Sequence, residues 1–234
     1  MKAAAAVLAL LVALVAAAEI GTRILLDDAV RAAADVGLRQ ASGGTGFADV
    51  AGDARGWALP DLLRGRLSGV EMVALDGELG GLPVSRLHGT TGEFDLRTRE
   101  TRDVVVVATT DPRVLLDLAG EIAGADLSGG SVDPVSADTL RFSGDVAGTE
   151  LVADVRVAPD GAGGLAGTVL SVEAAGLTVD PSLLPRSEAT LLTPEDVPPG
   201  FTVTGATTGV APDGAPVLQV TLVCAEGCTL GGPG

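Results

Sequence analysis

Residues 67–79, with the sequence LSGVEMVALDGEL, decide the fold class of this chain. Apolar and polar residues alternate along this stretch, which is the pattern of a half-buried β-strand. Similar patterns follow almost to the C-terminus, at residues 82–87, 91–96, 104–108, 139–146, 151–157, 165–173, 201–208 and 217–223. The strand at 165–173 is expected to pair with the one before it, and Pro212-Asp213-Gly214 predicts a hairpin between the last two. The sequence therefore predicts a domain made mainly of antiparallel sheet.

Helical patterns flank and interrupt these strands. Residues 19–40 (EIGTRILLDDAVRAAADVGLRQ) predict an amphipathic helix. Its apolar face is expected to contain Ile20, Ile24, Leu25, Val30, Ala33, Ala34 and Leu38, with Arg23, Asp27, Asp28, Arg31 and Asp35 facing elsewhere. One short strand is expected within 47–57, a helical turn at 59–65, a helix at 111–122, and a loop at 180–200 with a helical turn near Leu191.

The N-terminus carries an uninterrupted apolar run from Ala3 to Ala18, behind Lys2 and ending in small residues. This is the composition of a secretory signal. The run is shorter than the roughly 20 residues of a relaxed transmembrane helix. We therefore expect residues 1–18 to be a signal peptide or N-terminal membrane anchor and residues 19–234 to form one domain. That domain would be extracytoplasmic, either cut free after Ala18 or anchored.

The composition limits the possible partners. The formal net charge is -16, and Lys2 is the single lysine, so the sequence predicts no nucleic-acid binding. Aromatic residues make up only 2% of the chain, so the core is expected to be Leu, Val and Ala around the few large rings, which are Phe47, Trp57, Phe94, Phe142 and Phe201.

The two cysteines, Cys224 and Cys228, are three residues apart in VCAEGC. In an exported protein this spacing favours a local disulfide. A redox CxxC motif would need two intervening residues, and a metal site would need more ligands than the nearby Glu226 supplies. We therefore predict a disulfide and no metal site.

No motif in the sequence points to catalysis or to a cofactor. His88 is the single histidine, without a nearby nucleophile or second ligand. Carboxylate pairs such as Glu93/Asp95 and Asp27/Asp28 have the chemistry of acid–base catalysis, but with 31 acidic residues some pairs arise by chance. The protein is predicted not to be an enzyme, and a carbohydrate-active enzyme using a carboxylate pair remains the third alternative.

Arg64 and Arg66 flank Gly65, directly after the apolar turn at 59–65. Guanidinium groups beside apolar side chains suit a phosphate headgroup whose acyl chains lie in an apolar environment. Ordinary salt bridges with acidic neighbours are the alternative for each arginine. The candidate headgroup contacts are Arg64 and Arg66, and the candidate acyl-chain contacts are Leu62, Leu63, Leu67, Val70 and Met72.

Several motifs together resemble a known family. They are the helix from Ala18-Glu19, LPDLLRGRLSGVE at 59–71, GLPV at 81–84, residues 191–200 leading into FTVT at 201–204, and PDG at 212–214. Over most of residues 18–223 the chain resembles the LmeA-like phospholipid-binding family, exported envelope proteins of high-GC Gram-positive bacteria. The strong acidity and the Cys224/Cys228 pair depart from that pattern.

The resemblance implies a fold and a function. The fold would be α+β, with a long curved antiparallel sheet wrapped on a central helix as in tubular lipid-binding (TULIP/BPI-like) proteins. The function would be phospholipid or glycolipid binding at the membrane surface, with a part in envelope glycolipid maturation. A close-packed core would give the same sequence pattern, so an envelope interaction module without lipid is the second alternative.

Overall fold

The structure is a computed structural model of the chain. It describes the backbone of residues 2–41, 46–98, 100–116, 119–120, 127, 129–146, 148–180, 182, 184, 186–224 and 228–229. Within these ranges, the side chains of residues 2–13, 33–34, 36–41, 146 and 228–229 lie outside the description.

Two large antiparallel sheets form most of the described chain. The first has, in spatial order, β1 (Asp49–Ala54), β3 (Val70–Leu79), β4 (Leu82–Thr90), β7 (Val104–Thr110), β15 (Pro216–Cys224) and β14 (Thr202–Val210). The second has β12 (Leu177–Val179), β11 (Leu165–Ala174), β10 (Thr149–Pro159), β9 (Thr139–Val146) and β8 (Ser131–Ser136), and β13 (Glu188–Leu192) also pairs with β11. A small third sheet consists of β16 (Cys228–Thr229), β6 (Glu100–Thr101), β5 (Phe94–Asp95) and β2 (Arg66–Leu67).

The two large sheets share one hydrophobic core. Alternate residues of β7 are buried, as the period of a half-buried strand requires. From the first sheet, Leu218 and Ala74 are completely buried, and from the second sheet Leu140 and Leu165 are completely buried. Phe142 is the large ring of this core and is 1% exposed. The alternation read from the sequence therefore identifies the inner faces of both sheets.

Two helices stand outside this core. Helix α1 is a single helix from Lys2 to Ala41, and α2 runs from Ala58 to Arg64. Gly65 ends α2 in the left-handed conformation, with φ 71°, as the predicted stop at this glycine requires. Among the residues that the structure describes, no helix is long and apolar enough to cross a membrane.

Several predicted elements are confirmed and others need correction. Residues 139–146 form β9 with the predicted bounds, β11 pairs with β10, and the final hairpin turns at Gly214 with φ 87°. The loop expected at 180–200 is wrong in part, because residues 188–192 form strand β13. Its partner β11 supplies the hydrogen bonds that the local sequence does not reveal.

The helix predicted at 111–122 begins as a 3₁₀ turn over Pro112–Leu115. Asp111 is its N-cap, and its Oδ1 accepts a hydrogen bond from the Arg113 N–H at 2.9 Å. Most of the remainder of that predicted helix lies outside the described residues.

The α+β class is confirmed, because the part of the chain that the structure describes is mostly antiparallel sheet with two α-helices. The strands do not form one continuous hydrogen-bonded ladder, because they divide into the three sheets named above. Helix α1 lies against β1, the edge strand of the first sheet.

Candidate functional site

Helix α1 is attached to the domain through three polar side chains on one face. The two carboxylate oxygens of Glu19 accept hydrogen bonds from the N–H groups of Ala58 (2.6 Å) and Leu59 (3.0 Å), at the start of α2. Arg23 Nη2 donates to the carbonyl oxygen of Ala54 at 3.3 Å, and the Ala54 N–H donates to Asp27 Oδ1 at 3.2 Å. Since these positions are four residues apart, they share a face of the helix. They satisfy backbone groups at the edge of β1 and at the first turn of α2.

A small apolar cluster lies beside these bonds. It contains Leu26 of α1 with Ala54, Ala58, Leu67 and Val70, all of them buried. The approach of α1 to β1 is close, because a Cβ at Gly52 would lie 2.6 Å from Val30 Cγ1. Helix α1 is therefore held in a defined position by both polar and apolar contacts.

Several large apolar side chains of α1 are exposed, which corrects the predicted amphipathic arrangement. Ile20 is 61% exposed, Ile24 59% and Leu25 73%. Leu26 and Val30 face the domain as apolar residues should, but Arg23 and Asp27 face it as well. The reason is that the free edge of β1 and the start of α2 need hydrogen-bond partners, which apolar side chains cannot supply. The predicted apolar positions Ala33, Ala34 and Leu38 fall among side chains outside the description.

A second exposed apolar group lies at α2. Trp57 is 68% exposed and Leu63 81%, and Leu62 is at 36%. We call Trp57, Leu62, Leu63, Arg64 and Arg66 the α2 tip. Trp57 was expected in the core, and its exposure is a correction. A lone tryptophan directly before a short apolar turn was the one sequence signal for this position.

The arginines around Gly65 differ in their pairing. Arg66 Nη1 lies 2.7 Å from Glu93 Oε1, and both side chains are exposed. Arg64 and Arg97 form no salt bridge with any described residue. The Nε of Arg97 lies 3.6 Å from the position that a Cβ on Gly65 would occupy. A guanidinium from the turn that follows β5, without a salt bridge to any described residue, therefore adjoins the α2 tip, and sequence analysis did not identify it.

The structure brings together only part of the predicted site. Leu62, Leu63, Arg64 and Arg66 lie on the surface around α2. Leu67 is 2% exposed and Val70 9%, and both pack in the small cluster with Leu26. Met72 is half-buried against the main core, where its side chain packs against Gly89. Leu67 and Val70 support the α2 tip from beneath.

Two cavities among the described residues lie away from the α2 tip. The larger is an open cleft of about 530 Å³ at the far end of β3 from the α2 tip, with Asp76, Glu78, Ser85 and Asp111 in its lining. A void of about 10 Å³ lies in the core beside Phe142. A space of that size is at the limit for one water molecule, so it does not accommodate an acyl chain.

Glu71 and two of the carboxylates considered for catalysis, Asp95 and Asp27, have structural partners. Glu71 bonds Arg55 at 2.6 Å and His88 at 2.8 Å, and the hydrogen bond from Arg55, followed by that from His88, holds the pKa of Glu71 below its ordinary value. Asp95 accepts the N–H groups of Arg97 and Thr98, which lowers the pKa of Asp95. Asp27 is bonded to Ala54. In the described part of the chain, no group of three or more His, Cys, Asp or Glu residues could hold a metal ion.

The predicted disulfide is not tested. The side chain of Cys224 is 1% exposed, and no described cysteine is free. The backbone of Cys228 pairs with β6, but its side chain lies outside the described residues. The Cys224–Cys228 bond stays a prediction.

Comparisons with protein-family models, curated proteins and solved structures found no match for this chain. Membership of the LmeA-like family therefore stays a prediction from the sequence motifs.

Proposed function

We propose that this protein is an exported phospholipid- or glycolipid-binding protein of the cell envelope, and that it holds lipid at the membrane surface through the α2 tip. The observation that carries this proposal is the combination of two large exposed apolar side chains, Trp57 and Leu63, with Arg64 beside them, which forms no salt bridge with a described residue. Membership of the LmeA-like family and a role in envelope glycolipid maturation belong to the same proposal, supported by the motifs at 59–71 and 201–214.

The apolar part of the α2 tip suits the boundary between headgroups and acyl chains. Burying a side chain such as Leu63 contributes about 1.5–3 kcal/mol. The indole of Trp57 has an apolar body and one N–H donor, which is why tryptophan concentrates at membrane interfaces. In their exposed positions, the apolar surfaces of Trp57 and Leu63 are in contact with water, and insertion into the membrane interface would remove that unfavourable contact.

The cationic part suits a phosphate group. Guanidinium forms paired, charge-assisted hydrogen bonds with phosphate oxygens. A phosphate would give Arg64 and Arg97 the salt bridges that they do not form with any described residue. The net charge of -16 opposes an anionic surface at long range. At physiological ionic strength, charges separated by more than about 8 Å are largely screened, so the local arginines determine contact.

The proposal takes the form of holding lipid on the surface. The core void of about 10 Å³ does not admit an acyl chain, and the open cleft carries carboxylates. Carriage inside a tubular fold would need a cavity to open between the sheets. The antiparallel α+β architecture is compatible with such a fold.

The test is native mass spectrometry of the full chain, released from detergent, after incubation with a phospholipid. In a parallel measurement, organic extraction of the purified chain identifies any lipid that it retained from the cell. We expect a bound lipid mass that Leu63→Asp and Arg64→Glu remove. The matched controls are Leu177→Asp, at another highly exposed leucine on β12, and Arg186→Glu, at an exposed arginine without a salt bridge to any described residue. A protein that stays free of lipid, or equal losses in all four variants, would overturn the proposal.

A packed interaction module is the second candidate, because the core between the sheets is closed around Phe142. It predicts a clean apo mass under every lipid condition. A bound lipid that depends on Leu63 would exclude it.

A further inference from the structure

Helix α1 has an outer stripe formed by Leu14, Ile20, Ile24 and Leu25, which are 58%, 61%, 59% and 73% exposed. We infer that this stripe lies in the interface of a lipid bilayer, so that α1 fixes the orientation of the domain on the membrane. This inference rests on the proposed function for its envelope location. It adds a second contact surface, on a different element from the α2 tip.

The distribution of polarity on α1 differs from that on a helix covering a water-soluble domain. Such a helix turns its apolar side inward and its charged side to water. Here Glu19, Arg23 and Asp27 bond to the domain beside Leu26 and Val30. The large apolar side chains of Ile20, Ile24 and Leu25 are left exposed. No described residue covers the outer stripe. Burial of these side chains in an apolar environment outside the chain would therefore be favourable.

Continuity of the helix identifies that environment as lipid. The outer stripe and the uninterrupted apolar run from Ala3 to Ala18 belong to the same helix, Lys2–Ala41. Leu25 lies seven residues beyond Ala18, which is about 10 Å along the helix axis. The exposed charges of Asp28 and Arg31 then end the apolar side. A helix with one apolar side and flanking charges is typical of the membrane interface.

A second copy of the chain fits the stripe less well. Stable protein interfaces bury about 800 Å² on each partner and involve about 20–30 residues a side. The outer stripe has four large apolar side chains and is bounded by charges on its C-terminal side. A bilayer needs no complementary shape and accepts the apolar run and the stripe together.

The polar side of α1 is compatible with this position. Charged groups near a bilayer are costly unless they are paired. Glu19, Arg23 and Asp27 each have a backbone partner on α2 or β1. The bond between Glu19 and Ala58 also places Trp57, the preceding residue, at the level of α1 where the apolar run ends. Both apolar surfaces therefore adjoin the same level of the helix.

The test measures depth with one tryptophan at a time. Trp57 is the single tryptophan, so a Trp57→Phe background is free of indole. Into this background we would place Leu25→Trp or, as the matched control, Ala32→Trp. Position 32 is two turns further on the same side of α1 and is also exposed. The full-length variants are reconstituted in phosphatidylcholine vesicles with and without brominated acyl chains, and circular dichroism confirms their strand content.

We expect blue-shifted emission and bromine quenching from the indole at position 25, and unshifted, unquenched emission from the indole at position 32. Unshifted emission from the indole at both positions, as expected for tryptophan in water, would overturn the inference. So would a blue shift at 25 without bromine quenching, which indicates contact with a second copy, and equal quenching at both, which removes the boundary at Asp28.

Lipid retention by the unsubstituted chain separates this inference from the proposed function. Retained lipid together with an unquenched indole at position 25 is consistent with lipid binding by the α2 tip and overturns the bilayer contact of α1. Quenching at 25 in a chain that retains no lipid supports the α1 contact and overturns lipid binding by the α2 tip.

Discussion

The core between the sheets is apolar, whereas the contact of helix α1 with the domain combines hydrogen bonds from charged side chains with a small apolar cluster. Between the sheets, apolar residues such as Leu140 and Leu218 are completely buried. Between α1 and the domain, Glu19, Arg23 and Asp27 make the hydrogen bonds, and apolar residues such as Leu25 point outward. A sheet face requires the exclusion of water, whereas a free strand edge requires hydrogen-bond partners.

This difference shows why the apolar side of a helix need not be its packed side. Helix α1 meets the domain at the edge strand β1 and the first turn of α2, both of which have backbone groups without internal partners. Charged side chains are better suited to that contact than leucine or isoleucine. The apolar residues of α1 are then left for another environment.

The largest expected effect compares Leu218→Ala in the core with Leu25→Ala on the outer stripe. Truncating a buried leucine costs about 2–5 kcal/mol of unfolding free energy, because contacts are lost and a cavity remains. Truncating an exposed leucine stays within about 0.5 kcal/mol. Urea unfolding of both variants in the same detergent measures the difference. Equal losses would mean that Leu25 is packed and that the contrast drawn above is wrong.

The next effect concerns the close contact of α1 with β1. A Cβ at Gly52 would lie 2.6 Å from Val30 Cγ1, so Gly52→Ala should cost about 1–3 kcal/mol of unfolding free energy by overpacking. Gly209→Ala is the control, because a Cβ there meets no atom within 4 Å. Thermal unfolding should separate the two variants, and a neutral Gly52→Ala would show that α1 is not fixed against β1.

A smaller effect is expected at the start of α2. Glu19→Ala removes the acceptor of the Ala58 and Leu59 N–H groups, which should cost about 1 kcal/mol, as the loss of a helix cap does. Amide hydrogen exchange at Ala58 and Leu59 should become faster. Asp28→Ala, at an exposed position of the same helix, should leave both amides unchanged. Unchanged exchange in Glu19→Ala would contradict the contact between α1 and α2.

The smallest effect is a pH dependence within the second sheet. The hydrogen bond from Arg141 lowers the pKa of Asp154 from its ordinary value of 3.8, with a smaller contribution from Ser171. A carboxylate whose pKa is lowered by folding stabilises the protein above the unfolded pKa, and this contribution is lost as the pH falls through the folded pKa.

Asp154→Asn should therefore be less stable than the unsubstituted protein at pH 7, with the difference shrinking once the pH falls below about 3.8. Urea unfolding at a series of pH values measures it. Arg156→Gln, which weakens an ion pair of 3.5 Å between exposed side chains, serves as the control with a smaller expected change. A difference that grows towards acid would refute the assignment.

Strand positions were largely predictable from the sequence, because the alternation that places Val104, Val106 and Ala108 inside is a local pattern. Strands with a mixed composition were not predictable in this way. Strand β13 depends on its pairing with β11, and β8 contains Pro134 within SVDPVS. At the candidate site, Leu63 and Arg64 were predicted and are exposed, whereas Leu67 and Val70 are buried beneath them. Their burial depends on Leu26 of α1, which is about 40 residues away in the chain.

The sequence by itself determined the antiparallel α+β class, the stop of α2 at Gly65 and the apolar character of residues 3–18. These follow from local periodicity, from the left-handed conformation that glycine permits, and from composition. Only the tertiary structure decided which side of α1 faces the domain, the exposure of Trp57 and the approach of Arg97 to Gly65. Each of these depends on backbone groups and side chains from distant segments, whose hydrogen bonds and packing no local pattern records.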